Sequence, residues 1–358
     1  MEQRRFGDSS LVCSPIGFGT WEMGGTQYGE INLREATEAV NYALDHGITL
    51  FDTALGYGPY DSEILLGKTL GARRKEVVLV TKVGLTFQER KLVGLDASRA
   101  HVIREAEGCL SRLGTDWIDL LLIHWPDHVT PAEETIGALE DLKSAGKIRE
   151  YGVSNYNVPM MEACERVGHL AANQVGYHLF DRRVEAEVLP YCLEHGIGFM
   201  SYGTLGFGLL TGAMTPETKF VSWDWRSNGM AFGLPLFTGE HFLKELKVVD
   251  RLKRLAADHG KTVAQLAIAW VLSQKAVTVA LVGIRRPSEV EENVAAADWQ
   301  LGDDVKAQID RIFAEEGVPT YREAEQITRP PALSNWGKKS TLQSGNRRAP
   351  AGARRFPD

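Results

Sequence analysis

One module recurs along this chain: a stretch of helical periodicity, a glycine stop, then a short apolar run. In "ATEAVNYALDHGITLFDT", Ala39, Tyr42, Ala43 and His46 share a helical face, Gly47 suits the position just past the helix end, and Ile48–Phe51 read as strand. "AGKIREYGVSN" and "CLEHGIGFMSYG" repeat the pattern with Gly146 and Gly196 as stops. Helix starts are marked at Thr130-Pro131-Ala132-Glu133 and Thr262-Val263-Ala264-Gln265, each with an N-cap threonine and a capping-box partner three residues on. Eight strands are expected, at Ser14–Gly19, Ile48–Asp52, Val77–Val83, Ile118–His124, Ile148–Ser154, Ala172–Gly176, Gly198–Tyr202 and Thr278–Gly283. Strands alternating with helices make a parallel sheet. Eight such units in about 300 residues predict an α/β fold of the (β/α)8 TIM-barrel type. The competing doubly wound fold needs a G-x-G-x-x-G turn after its first strand, and the glycines of "GFGTWEMGG" do not have that spacing.

The barrel is expected to span residues 1–317, with an N-terminal β-hairpin cap and extra helices. An insert, "TPETKFVSWDWRSNGMAFGLPLF", and a helix near Gly239–Gly260 separate the last two strands. Residues 318–358 lack periodicity; "TYREAEQITRPPALSNW" is expected to fold over the mouth as a rim segment. The basic end is expected to be disordered, with Lys338, Lys339, Arg347, Arg348, Arg354 and Arg355 against the single acid Asp358. A net charge of −7 argues against a nucleic-acid partner. No apolar run is long enough for a membrane span. Four scattered cysteines and the polar start "MEQRRFGDSS" point to a reducing cytoplasm and to no metal site.

Chemistry in such a barrel gathers at the C-terminal ends of the strands. Reading those ends in order gives Asp52, Lys82, His124, Asn155 and Gln174, with Tyr57 on the loop just past Asp52. Three apolar strands therefore deliver an acid, a base and an imidazole to one rim. A free phenol, with a pKa of about 10, exchanges protons poorly near neutrality. A neighbouring ammonium stabilises its phenolate, and a carboxylate keeps that ammonium charged away from water. Asp52, Lys82 and Tyr57 thus predict a tuned general acid, with His124 able to hydrogen-bond a polarised oxygen. Gly56 and Gly58 allow the tight turn around Tyr57.

With these residues in view, the chain resembles the aldo-keto reductase family over residues 3–315. The resemblance rests on "GFGTW" (Gly17–Trp21), "FDTALGYG" (Phe51–Gly58), "SEILLG" (Ser62–Gly67), "VTK" (Val80–Lys82) and "LLLIHWP" (Leu120–Pro126). It continues through "GVSN" (Gly152–Asn155), "NQVGYHLF" (Asn173–Phe180), "GLLTG" (Gly208–Gly212) and "EENVAA" (Glu291–Ala296). It implies a catalytic tetrad of Asp52, Tyr57, Lys82 and His124, and an extended nicotinamide cofactor. Tyr57 would protonate a carbonyl oxygen and His124 would orient it. The histidine, where C=C reductases of the family carry glutamate, favours carbonyl chemistry. Gly19, Thr20, Trp21 and Asp52 would border the cofactor. Ser154, Asn155 and Gln174 would hold its carboxamide, and Tyr202 would stack on its ring. Gly203, Leu205 and Gly208 would follow the pyrophosphate, and Gly283, Arg285, Glu289, Glu292 and Asn293 the adenosine. Trp21 and Trp125 would wall a substrate pocket with Tyr57 and His124.

Two departures from the family pattern affect the cofactor. The usual Tyr-Ser-Pro-Leu is Tyr202-Gly203-Thr204-Leu205. Arg285 and Arg286 suit the 2′-phosphate of NADP(H), whereas the Glu289 carboxylate suits the bare ribose of NAD(H). The balance favours NADP(H), with NAD(H) or dual use as the alternative. The expected function is interconversion of aldehydes or ketones, sugar-like or ring-bearing substrates among them, with alcohols. The alternative is a nicotinamide-binding redox-sensing subunit with slow turnover. The aromatics Trp21, Tyr28, Trp125, Trp223 and Trp225 are expected at the mouth.

Overall fold

The computed structural model describes residues 1–25 and 28–330. A short hairpin, β1 (Arg4–Arg5) and β2 (Val12–Cys13), opens the chain. The barrel strands are β3 (Ile16–Gly19), β4 (Leu50–Asp52), β5 (Val78–Val83), β8 (Ile118–Ile123), β9 (Ile148–Ser154), β10 (Ala172–Gly176), β11 (Gly198–Tyr202) and β12 (Val277–Gly283). All pair in parallel in chain order, and β12 pairs β3 to close the barrel. A second hairpin, β6 (Leu85–Gln88) and β7 (Lys91–Leu95), follows β5 and lies outside the expected pattern. The first helices are α1 (Leu33–Asp45), α2 (Asp61–Leu70), α3 (Arg99–Leu113), α4 (Ala132–Ser144) and α5 (Val158–Glu165). They continue with α6 (Val188–Glu194), α7 (Gly239–Asp258), α8 (Val263–Leu272), α9 (Pro287–Val294) and α10 (Asp303–Glu316). No described helix is long and apolar enough to cross a membrane. All four cysteines are buried free thiols.

Of the two capping boxes expected, that at Thr262 forms in full, with Gln265 answering the threonine. The one at Thr130 does not. Pro131 is the N-cap of α4, and the Thr130 hydroxyl donates to Asp127. Asp127 also accepts from the backbone N–H groups of Ala97, Val129 and Thr130, so a carboxylate organises this turn in place of the threonine.

The barrel interior explains why the strand ends matter. Leu50, Val80, Leu122, Ala172, Met200 and Leu281 form one inner cluster, closed from below by Phe6, Leu11 and Cys13 of the N-terminal hairpin. Side chains alternate along a strand, so a residue two further on faces inward again. Those positions are Asp52, Lys82, His124, Gln174, Tyr202 and Gly283. The polar rim is thus the top layer of the same side-chain stack whose lower layers are hydrocarbon.

Glu245 on α7 is buried and its Oε2 has no hydrogen-bond partner among the described residues. Burial pushes its carboxyl up to about 9. The folded-state pKa lies above the unfolded one, so this group favours folding most in acid and loses that contribution as pH rises toward about 9. Glu245→Gln, which mimics the protonated acid, should raise the urea midpoint at about pH 8.5 and leave it nearly unchanged at about pH 4.5. Equal shifts at both pH values would refute this.

Candidate active site

At the C-terminal rim, Lys82 is fully buried and its ammonium is triply satisfied. Nζ donates to Asp52 Oδ1 at 2.7 Å, to the Thr53 carbonyl at 2.8 Å and to the Tyr57 hydroxyl at 3.1 Å. Asp52 Oδ2 accepts from Gln174 Nε2 at 2.8 Å. Burial raises the Asp52 carboxyl and lowers the Lys82 ammonium, and each partner works against the other's shift. The Tyr57 phenol is pushed well above its ordinary value, first by burial and then by the Asp52 charge. This corrects the expectation of a lysine-lowered phenol. Burial and the Asp52 charge outweigh the Lys82 ammonium that stands 3.1 Å from the hydroxyl. Tyr57 therefore holds its proton at neutral pH.

His124 follows β8, held by its N–H to the Val83 carbonyl at 2.9 Å. Its ring meets that of Tyr57 edge-on, 5.9 Å between centroids. Burial and the Lys82 charge keep its pKa well below the usual imidazole range. The ring is neutral, with Nδ1 enclosed and unpartnered among the described residues. Nε2 is then the nitrogen turned to the cleft.

Asn155 adopts a left-handed backbone (φ 66°), which asparagine tolerates better than most residues. Its amide donates to the His124 carbonyl at 3.1 Å and to Ser154 Oγ at 3.0 Å, and it accepts from the Tyr202 hydroxyl at 2.9 Å. Ser154 Oγ donates to the Gln174 carbonyl at 2.8 Å. The three residues expected to hold a carboxamide are thus knitted to one another and, through Gln174, to Asp52. Thr20 is also tied down: its hydroxyl donates to the Asp52 carbonyl at 2.9 Å and accepts from Ser62 at 2.7 Å.

One cleft of about 350 Å³ joins these groups. Every residue expected to act in catalysis, hold the cofactor or wall the pocket lines it except Lys82, which is buried. The cleft runs from Tyr57, His124 and Trp125 past Tyr202 and along Gly203, Leu205 and Gly208 to Gly283, Arg285, Glu289, Glu292 and Asn293. Gly203 (φ 67°) and Gly208 (φ 100°) leave bare backbone along it, and a Cβ on Gly208 would press on Met214 and Arg226. Glu289 accepts the Arg285 N–H at 2.7 Å and lies 3.8 Å from the Arg285 and 3.1 Å from the Arg286 guanidinium. Glu292 takes the Thr262 hydroxyl at 2.7 Å, so it also braces the start of α8. Among the described residues no cluster suits a metal ion.

The chain matches the aldo/keto reductase family over residues 15–314. It belongs to that family. It is 39% identical over 316 residues to aldo-keto reductase YhdN of Bacillus subtilis, covering 87% of this chain and 94% of that one. It is 32% identical over 318 residues to the NADH-specific methylglyoxal reductase of Escherichia coli, covering 85% and 95%. Among solved structures, glycerol dehydrogenase AKR11B4 from Gluconobacter oxydans superposes with a TM-score of 0.81 at 36% identity, over 88% of this chain and 96% of that one. An aldo-keto reductase from Klebsiella pneumoniae in complex with NADPH gives 0.68 at 31% identity, over 87% and 95%. The chain is an NAD(P)H-dependent aldo-keto reductase, and relatives differ in which dinucleotide they use.

The sequence patterns left part of this reductase's cleft unread. Phe232 and Phe207 come from the insert and the segment after β11, where no residue type or spacing signals them. Phe232 lies against Tyr202 (5.3 Å) and parallel to Trp125 (6.5 Å). Trp223 and Trp225, both expected at the mouth, do not line the cleft: Trp223 is 41% exposed, and Trp225 stacks on Trp21 at 5.8 Å. Glu22 and Arg226 also line it. The C-terminal segment, as far as Pro330, skirts the rim. The Thr320 carbonyl accepts the Arg182 N–H, Arg322 pairs with Glu185, Gln326 donates to the Tyr156 carbonyl, and the Thr328 carbonyl meets His128. None of 318–330 lines the cleft. The basic end and "ALSNW" lie outside the described residues.

Proposed function

We propose that this reductase converts small aldehydes and ketones to alcohols, with Tyr57 as proton donor and His124 Nε2–H as the group that orients the carbonyl oxygen. The observation that carries the reading is Lys82 Nζ bridging Asp52 and the Tyr57 hydroxyl beside a neutral imidazole, in one long cleft. The donor set suits a nicotinamide dinucleotide: amides of Asn155 and Gln174 near Tyr57, glycine backbone along the middle, and two guanidinium groups at the far end. When bound, the reduced cofactor supplies hydride to the carbonyl carbon. Tyr57 gives its proton to the carbonyl oxygen as negative charge develops there, and Lys82 stabilises the phenolate left behind. Asp52 keeps Lys82 charged, and Gln174 holds the second Asp52 oxygen. Trp21, Trp125 and Phe232 exclude water from the reacting groups. The segment 318–330 backs the Phe232 turn through Ile327, which lies against Gly233.

The names of two relatives, a methylglyoxal reductase and a glycerol dehydrogenase, support a small oxygenated substrate. The aromatic mouth favours sugar-like or ring-bearing carbonyls. Dinucleotide binding by tryptophan quenching, followed by NADPH and NADH oxidation with methylglyoxal, glyceraldehyde and benzaldehyde, tests the proposal. Turnover of none of them, with cofactor bound, would favour the redox-sensing alternative.

NADP(H) is the preferred dinucleotide in this reading, with Arg285 and Arg286 as the 2′-phosphate ligands. Glu289 now engages both, so Glu289→Gln should raise NADPH affinity about tenfold relative to NADH by releasing charge-assisted donors. An unchanged NADPH/NADH ratio would remove Glu289 from cofactor choice.

A further inference from the structure

Glu22 takes no part in the chemistry above, and no motif singled it out. It lies in the short helical turn Trp21–Gly24 just past β3. Its carboxylate rests on the bare Cα of Gly283 at the end of β12; any Cβ there would overlap its oxygens. It lines the same cleft as Tyr57 and Arg285, so it stands on the path of a dinucleotide extended between them.

The charged and titratable groups facing Glu22 come from every wall. Arg285 and Glu289 face it from the β12–α9 side, Arg226 from the insert, Tyr57 from the β4–α2 loop and Tyr28 from the segment after its own turn. Neither guanidinium is free for it. Arg226 is committed to Asp224 and the Phe207 carbonyl, and Arg285 has Glu289. None of the ion pairs among the described residues includes Glu22. Its surface is partly open to the cleft, yet the protein packed around it pushes the carboxyl up to about 6. A lone carboxylate with no direct counter-ion thus sits where an anionic ligand must pass.

We propose that Glu22 couples cofactor binding to a proton: its carboxylate opposes the phosphates of the incoming dinucleotide, and the bound state carries Glu22 protonated. This rests on the cofactor reading of the cleft given above. The proton comes from solvent and is held on a Glu22 oxygen; no bond of the cofactor changes. Ligand binding that requires the acid form weakens as pH rises above the free-protein pKa, by up to about tenfold per pH unit.

NADH is the probe, because it lacks the 2′-phosphate whose own second ionisation, near about pH 6, would blur the result. Its affinity for the full chain is measured by tryptophan quenching between about pH 5.5 and 8.5, and its proton uptake by calorimetry in two buffers of different ionisation enthalpy. Wild type should bind less tightly as pH rises above about 6 and take up close to one proton at about pH 8. Glu22→Gln should bind more tightly than wild type at about pH 8, with a flat pH profile and little uptake. Glu22→Ala, with no polar head, should behave the same way. Identical pH profiles in wild type and variants overturn the proposal, as does weaker binding by Glu22→Gln at every pH. A chain that binds neither dinucleotide at any pH overturns the cofactor reading too. Retained binding without the proton difference overturns only the role of Glu22.

Discussion

Tyr57→Phe should lower kcat for carbonyl reduction by about 10²–10⁴-fold and leave dinucleotide affinity close to wild type. The phenylalanine keeps the ring that lies 6.0 Å from Trp21 and edge-on to His124, and it removes only the hydroxyl. Lys82 loses one of three acceptors and keeps Asp52 and the Thr53 carbonyl, so the fold should lose only about 1 kcal/mol. The activity loss is large because the two groups beside the phenol cannot replace it: His124 is held neutral, and Lys82 is buried and does not line the cleft. The wild-type phenol is held protonated by burial and by Asp52, so the acid form persists through neutral pH. Single-turnover rates with saturating cofactor isolate the chemical step. A variant retaining more than about a tenth of kcat would show that the proton comes from elsewhere.

Lys82→Met should be the most damaging single change to stability at the site, costing about 3–5 kcal/mol. Asp52 would remain buried, with only the Gln174 amide to answer its charge. The double variant Asp52→Leu/Lys82→Met should recover most of that stability, because a hydrocarbon pair in a hydrophobic barrel leaves no charge to solvate. It should recover none of the activity, since the phenolate would have no cation to form against. Urea midpoints of wild type, both single variants and the double variant give the coupling directly. If Lys82→Met alone unfolds at the wild-type midpoint, the buried pair is not what the site's stability depends on.

Much of the architecture was legible in the chain because it follows from local chemistry. The glycine stops at 47, 146 and 196 adopt positive φ where helices hand over to strands, and the Thr262 box caps its helix. The eight strands end within a residue or two of where alternation and apolar runs put them. Asp52, Lys82 and His124 could be picked out because each interrupts a hydrocarbon run at a strand end, and the barrel stacks those ends into one layer. The Thr130 turn was misread because a carboxylate three residues upstream competes for the same N–H groups. Sequence spacing does not rank such competitors.

By itself, then, the sequence determined the repeat, the closed barrel and the acid, lysine and histidine of the rim, since periodicity and strand-end position are properties of neighbouring residues. Only the tertiary structure decided how those groups share charge. Lys82 lies between Asp52 and Tyr57, and burial with the Asp52 charge raises the phenol and keeps it protonated. It also decided that Phe232 and Phe207, and neither Trp223 nor Trp225, line the cleft, and that Glu22 lies against Gly283, 261 positions further along the chain. Electrostatic balance and contacts between distant segments depend on ångström-scale placement in three dimensions, which no local pattern encodes.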